Sequence, residues 1–293
     1  MKIDISNAYI QKKALSADNI QFYREYGFLV AKALFSQKEI AALKAETASI
    51  FRGERGQISG LLPPAGLNDD EILKQYVAIH FPHKLSSLIK ENLSHPDVIR
   101  ILKKIVSPNL KCMQSMLFVK APGKAGQSWH QDEFYIPTRD KSLVGVWIAV
   151  DDATEYNGCL WIIPGSHKPG FMRRRVANLS DEYADVDTVD VSGFYPDHQV
   201  PVEVSSGSVV FFNGYTLHSS KRNKTKNCFR TALVNHYMSA ESMLPWDQDG
   251  KLEPTEDLRD IVLVAGKDPY AYKGTVDVNQ PYLRPEVLNI KTS

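Results

Sequence analysis

The sequence predicts a mainly β protein with flanking helices, a jelly roll whose interior can hold a small ligand. From Leu110 onward, short apolar stretches alternate with turn residues, the texture of antiparallel sheets rather than of amphipathic helices. Eight such stretches precede residue 240, a number that suits two facing sheets. Before Leu110 the chain carries helix caps and helical apolar spacing instead. No repeat, low-complexity segment or linker divides it, so residues 1–293 are read as one domain: a helical lead-in over about 16–106, a β core over about 110–240 and a wrapping tail over 241–293.

After a polar leader, Ser16-Ala17-Asp18-Asn19 caps a short helix through Phe22 and Tyr26 that stops at Gly27. Phe28-Leu29-Val30 is strand-like. Ser36-Gln37-Lys38-Glu39 is a capping box, in which the serine and glutamate side chains bond each other's backbone N–H and start a helix through Ile40, Leu43 and Ile50. Residues 52–70 are polar, with a Pro63-Pro64 pair, and are expected to form a loop; 84–91 and 97–106 are expected to be helices. The β core follows with strands over 111–120, the segment around His130, 144–150, 160–163, 200–204, 208–212, 216–218 and 230–237. Between them, 171–198 is long and polar and contains Arg173-Arg174-Arg175, so it is read as a loop that either covers the site entrance or is solvated. The tail from 241 predicts little regular structure.

Within the core, His130 and Asp132 lie two residues apart, and on an extended strand both side chains leave the same face and can grip one cation. His218 would add a third ligand. Two imidazoles and a carboxylate on one side of a metal leave the other positions open, the arrangement of non-haem Fe(II) oxygenases. Arg230, twelve residues past His218, offers a permanent planar fork for a carboxylate. A second His-x-Asp, His95-Pro96-Asp97, opens a run of helical period with an early proline and is read as a helix start. Strand amides facing a barrel interior need partners, which makes Gln114 and Gln127 candidates for contact with substrate or co-substrate. Phe134 and Tyr135, just past the iron pair, are candidate substrate walls. His80 and His83 lack a second pair with matching spacing, His167 sits in a turn, and His236 alternates on a strand that can face the pocket.

A net charge of +1 gives no reason to expect nucleic acid or a membrane surface as partner. Three cysteines without paired spacing argue for a reducing compartment, no apolar run approaches the ~18–20 residues that span a bilayer, and no secretory signal opens the chain. The expectation is a cytoplasmic protein acting on a small molecule, with its oligomeric state unassigned.

At these residues the chain resembles the phytanoyl-CoA dioxygenase family of Fe(II)- and 2-oxoglutarate-dependent oxygenases. The resemblance runs over roughly 20–240. It rests on Gln114-Ser115-Met116, His130-Gln131-Asp132, Gly145-Val146-Trp147-Ile148-Ala149-Val150, Asn157-Gly158-Cys159-Leu160, Ile163-Pro164-Gly165-Ser166-His167, and His218 followed by Arg230. It implies a double-stranded β-helix, the cupin-like jelly roll. It also implies Fe(II) held by His130, Asp132 and His218, and 2-oxoglutarate whose far carboxylate meets Arg230 with help from Ser220. Met116 and Trp147 match family positions beside the co-substrate, and Lys74 matches a family lysine.

The resemblance further implies use of O2, with release of succinate and CO2. Halogenating relatives replace the carboxylate ligand with a small residue, so Asp132 favours hydroxylation over halogenation, with desaturation and ring closure open to the same chemistry. Acyl-CoA is the substrate the family name suggests, and a smaller metabolite is preferred because no acyl-CoA signature is recognisable. The rival class is a jelly roll that binds a metal or small molecule without turnover.

Overall fold

The computed structural model describes residues 4–10, 14–63, 65–242 and 258–284. Its helices begin where the sequence supplies caps. In α1 (Ala17–Tyr26) Ser16 and Asn19 form a reciprocal capping box, and Gly27 ends the helix at φ 82°, a left-handed conformation that suits glycine. In α2 (Gln37–Phe51) Ser36 and Glu39 do the same. A third capping box, Asn68 with Glu71, starts α3 (Asp69–Gln75), so the polar stretch read as loop ends in a helix. Two more follow, α4 (Ser87–Asn92) and α5 (Pro96–Ile105), the latter opened by His95 and Pro96 as the second His-x-Asp predicts. No helix among the described residues is long and apolar enough to cross a membrane.

The strands are β1 (Tyr9–Ile10), β2 (Phe28–Ala31), β3 (Ala78–His80), β4 (Leu110–Lys120), β5 (Gln127–His130), β6 (Val144–Ala149), β7 (Leu160–Ile162), β8 (Arg175–Ala177), β9 (Asp187–Val189), β10 (Val200–Val202), β11 (Val209–Asn213), β12 (His218–Ser220), β13 (Arg230–Ser239), β14 (Val262–Ala265) and β15 (Tyr282–Leu283). All eight strands expected for the β core are present, within two or three residues of their expected ends. They form a major sheet, β1-β2-β11-β6-β13-β4-β3-β15 with β14 also on β4, and a minor sheet, β10-β7-β12-β5. Together they make the cupin-like jelly roll, with a cavity lined by residues of both sheets.

Two segments depart from expectation. The 171–198 excursion is partly ordered as an antiparallel hairpin of β8 and β9, and it docks on β5: Ser128 N donates to Asp185 Oδ2 at 2.7 Å and Ser128 Oγ to Asp187 O at 2.7 Å. The tail contributes two strands rather than irregular chain alone, β14 on β4 and β15 on β3; the parts at 243–257 and 285–293 lie outside the described residues.

Register decides which side chains reach the cavity. On β13, Arg230, Val234 and His236 point inward, and on β4 so do Gln114, Met116, Phe118 and Lys120. Cross-strand partners then form rows. One row runs Val210, Trp147, Val234, Met116, His80, Tyr282; the next runs Phe212, Gly145, His236, Gln114. The outward residues of the same strands, such as Leu117, Ile148 and Leu233, share a core with Ile40, Leu43, Ile101 and Leu102 from the helices. That is why β13 is buried on both faces and shows no polar alternation.

Candidate active site

Opposite those rows, the minor sheet sets His130 directly across from His218, with ring centroids 4.1 Å apart. Both rings are locked by their own backbones: His130 Nδ1 lies 2.7 Å from Ser128 O, and His218 Nδ1 lies 3.0 Å from Thr216 O. A carbonyl only accepts, so each Nδ1 carries the proton and each Nε2 is left with its lone pair. Asp132 does not share the strand with His130, as simple alternation predicts. It is the first residue of a 3₁₀ turn, Asp132–Phe134, which swings its carboxylate between the two rings. Its Oδ1 lies 3.7 Å from His130 Nε2 and 3.6 Å from His218 Nε2.

The donor set fits a divalent transition metal: three buried ligand atoms, two neutral imidazole nitrogens and a carboxylate oxygen, all within 4.8 Å of one another. Burial, reinforced by nearby His218, pushes His130 down to about 3, so it remains the neutral form that coordinates metals. Burial works to raise Asp132, but the neighbouring imidazoles of His218 and His236 outweigh it and hold the carboxyl below its usual range.

Asp132 has little room. A Cβ on Gly145 would stand 2.4 Å from the Phe212 ring and 3.1 Å from Asp132 Oδ2. We expect Gly145→Ala to cost about 1–3 kcal/mol of stability through overpacking and to weaken metal binding by displacing the carboxylate. Thermal melts alongside Fe(II) titration would show both, and an unchanged Fe(II) affinity would exclude the displacement.

At one end of the cavity stand Arg230 and Lys120, cross-strand partners at the adjoining ends of β13 and β4. Arg230 is buried, donates through Nε to Gly158 O at 3.1 Å, and lies with its guanidinium carbon 5.6 Å from the Trp147 ring centroid. Burial pushes it down to about 10, which leaves it charged at neutral pH. Lys120 Nζ donates to Ser220 Oγ at 2.8 Å, Lys221 O at 2.6 Å and Gly158 O at 3.3 Å, and burial, then the Arg230 charge, holds it well below the ordinary lysine range. Among the described residues no carboxylate pairs with either group. Buried charge without a counter-ion is costly, so this arm fits an anionic ligand, and the chelating dicarboxylate 2-oxoglutarate meets that requirement. Gly158, at φ 87°, permits the arrangement, since a Cβ there would stand 2.7 Å from Lys120 Nζ.

The opposite wall comes from β3, β15 and the excursion. His80 stacks on Tyr282 at 4.3 Å with rings 10° apart, and Asn279, Arg284 and Asp185 also line the cavity. Arg284 Nη2 bonds Asp185 Oδ1 at 2.7 Å and so ties the chain's last described strand to the excursion. The cavity measures about 490 Å³.

Most sequence candidates converge here: His130, Asp132, His218, Arg230, Gln114, Met116, Gln127, Trp147, Ser220 and Tyr135 all line this cavity. Two do not. Lys74 is exposed in the last turn of α3, whose buried residue is Ile72, and lies outside the lining. Phe134 is 43 % exposed and faces the Arg175 guanidinium at 5.0 Å instead of the cavity. His167, as expected, is structural and meets Arg24 O at 3.1 Å. Lys120 escaped the sequence reading, although alternation along β4 from Met116 places it on the inward face. For Asn279, Tyr282 and Arg284 no local signal existed.

The comparisons agree with this geometry. The family profile described as phytanoyl-CoA dioxygenase (PhyH) matches residues 23–232. Phytanoyl-CoA dioxygenase 1 of Oryza sativa subsp. japonica is 29 % identical over 272 residues, covering 82 % of this chain and 94 % of that protein. Phytanoyl-CoA dioxygenase domain-containing protein 1 of Danio rerio is 35 % identical over 182 residues, covering 61 % of this chain and 62 % of that protein. Among solved structures, the non-haem α-ketoglutarate-dependent carbocyclase SnoK from nogalamycin biosynthesis superposes with a TM-score of 0.64 at 25 % identity, over 86 % of this chain and 98 % of that one. The chain is an oxygenase that uses Fe(II), 2-oxoglutarate and O2, and it belongs to the phytanoyl-CoA dioxygenase family.

Proposed function

We propose that this oxygenase hydroxylates a small-molecule metabolite with release of succinate and CO2, using His130, Asp132 and His218 as iron ligands and Arg230 as the anchor for the far carboxylate of 2-oxoglutarate. The observation that carries the reading is the convergence of those three ligand atoms in the cavity whose other end holds a buried guanidinium with no carboxylate partner among the described residues. When bound, iron with 2-oxoglutarate and O2 supplies an oxidant strong enough to take a hydrogen atom from an unactivated carbon. The protein's own residues do the rest. Ser128 O and Thr216 O fix the imidazole tautomers; Lys120 holds Ser220 and Gly158 beside the Arg230 fork; Trp147 and Met116 bound the co-substrate arm. Tyr135 and Gln114 face the substrate, and the docked excursion at Ala184 and Asp185 narrows the entrance to keep water out.

Hydroxylation is favoured over halogenation because Asp132 keeps its carboxylate. A small metabolite is favoured over acyl-CoA because the basic triplet does not line the cavity. Arg173 lies over the rings of Phe171 and Phe194, and Arg175 is paired with Asp187, so neither stands ready for phosphates. Three cysteines that form no disulfide support a cytoplasmic location.

The test is anaerobic titration of the metal-free protein with Fe(II) and 2-oxoglutarate, followed in the visible for the charge-transfer band of the chelate. Wild type is expected to develop the band and His218→Ala to lose it. Succinate release then screens neutral and acidic metabolites against acyl-CoA thioesters. A band that survives His218→Ala would refute the ligand set, and turnover confined to acyl-CoA would refute the substrate class.

A further inference from the structure

A third imidazole reaches Asp132, and it comes from the opposite sheet. His130 and His218 belong to the minor sheet and turn their Nε2 atoms toward Oδ1; His236, on β13 of the major sheet, places its Nε2 3.0 Å from Oδ2. His236 is 4 % exposed, and its cross-strand partners are Gly145 on one side and Gln114 on the other. The missing side chain of Gly145, the cross-strand partner of His236, leaves room for Oδ2, which a Cβ there would crowd at 3.1 Å. The Gln114 amide nitrogen lies 3.5 Å from His236 Nδ1, a long contact on the acceptor side of the ring. An ionised carboxylate only accepts, so the Nε2–H donates to it.

We infer that His236 is a positioning residue for the metal: by holding Oδ2, it presents Oδ1 alone to the ion and keeps Asp132 a one-oxygen ligand. The inference rests on the ligand set proposed above. A carboxylate without that hydrogen bond can rotate about its last torsion and offer both oxygens, taking up a position that a two-point chelator and O2 require. His236 also fills the acceptor capacity of Oδ2, which would otherwise be buried without a partner. Residues that orient metal ligands in this way commonly contribute about 10–100-fold to metal affinity.

The experiment compares His236→Leu, which fills the space without a donor, with His236→Gln, which keeps an N–H. Fe(II) affinity is measured by calorimetry under anaerobic conditions, with circular dichroism to verify the fold. The expected result is Fe(II) binding about 10–100-fold weaker in His236→Leu, with a displaced charge-transfer band, and recovery of most of the loss in His236→Gln. Equal affinity and an identical band in the two variants would overturn the inference. Should His236→Leu fail to fold, the comparison moves to His236→Gln against His236→Asn, whose shorter amide cannot reach Oδ2; wild-type affinity in His236→Asn overturns the inference equally. Asp132→Ala, run in parallel, separates the two claims. If it binds iron like wild type, the ligand set itself is wrong; if it loses iron while His236→Leu does not, the positioning role alone is wrong.

Discussion

Asp132→Ala is expected to lose Fe(II) binding and, with it, all 2-oxoglutarate consumption, while the fold survives. Asp132 is the only carboxylate in the ligand cluster found among the described residues, and it sits between two imidazoles whose orientation is set by backbone carbonyls, not by Asp132. Removing it leaves two neutral ligands and no negative charge against a dication. A metal's contribution to transition-state stabilisation is several kcal/mol, so the loss in turnover should reach about a thousand-fold or more. Succinate release under saturating iron, with calorimetry for the metal, measures both. Undiminished succinate release by the purified variant would sink the assignment.

Arg230→Met is expected to act on the co-substrate and leave iron alone. Breaking a buried, hydrogen-bonded charge pair costs about 2–5 kcal/mol, which corresponds to an increase in the 2-oxoglutarate dissociation constant of about 30-fold to several thousand-fold. Arg230→Lys should recover only part of this, because an ammonium lacks the planar fork that matches a carboxylate and cannot donate to Gly158 O and the ligand with the same geometry. Titrating 2-oxoglutarate into the iron-loaded variant and following the charge-transfer band gives the constant directly. An unchanged constant would mean that the far carboxylate lies elsewhere in the cavity.

The β core and the cluster of His130, Asp132 and His218 were legible in the sequence, the core because its signals are local. Most of the eight strands are apolar stretches bounded by turn residues, the polar β5 and β12 excepted, and the caps at Ser16 and Ser36 are spelled out within four residues. What was not legible depends on distant partners. β3 and β15 are too short to announce themselves and exist because β3 pairs along β4 and β15 along β3. The hairpin of β8 and β9 is held by Arg175 against Asp187 and by its seat on β5, neither visible as apolar periodicity. Lys74 rests on a resemblance in a variable stretch, which does not fix register, and α3 turns it to solvent outside the cavity lining. His236 was placed on the correct strand, but its bond to Asp132 crosses from one sheet to a turn that follows the other, a juxtaposition that spacing along the chain does not encode.

The cavity wall is drawn from two separate lengths of the chain. His130, Asp132, His218 and Arg230 all fall within the stretch that the family profile matches, which ends at residue 232, whereas His236 on β13 and the wall residues Asn279, Tyr282 and Arg284 lie beyond it. The tail supplies wall and none of the His130, Asp132 and His218 cluster, so a substitution at Asn279 or Tyr282 is expected to change which molecules the cavity accepts before it changes Fe(II) affinity. The late strand joins at the edge through its pairing with β3, the Tyr282 stack on His80 and the Arg284–Asp185 ion pair, and none of these contacts involves His130, Asp132 or His218.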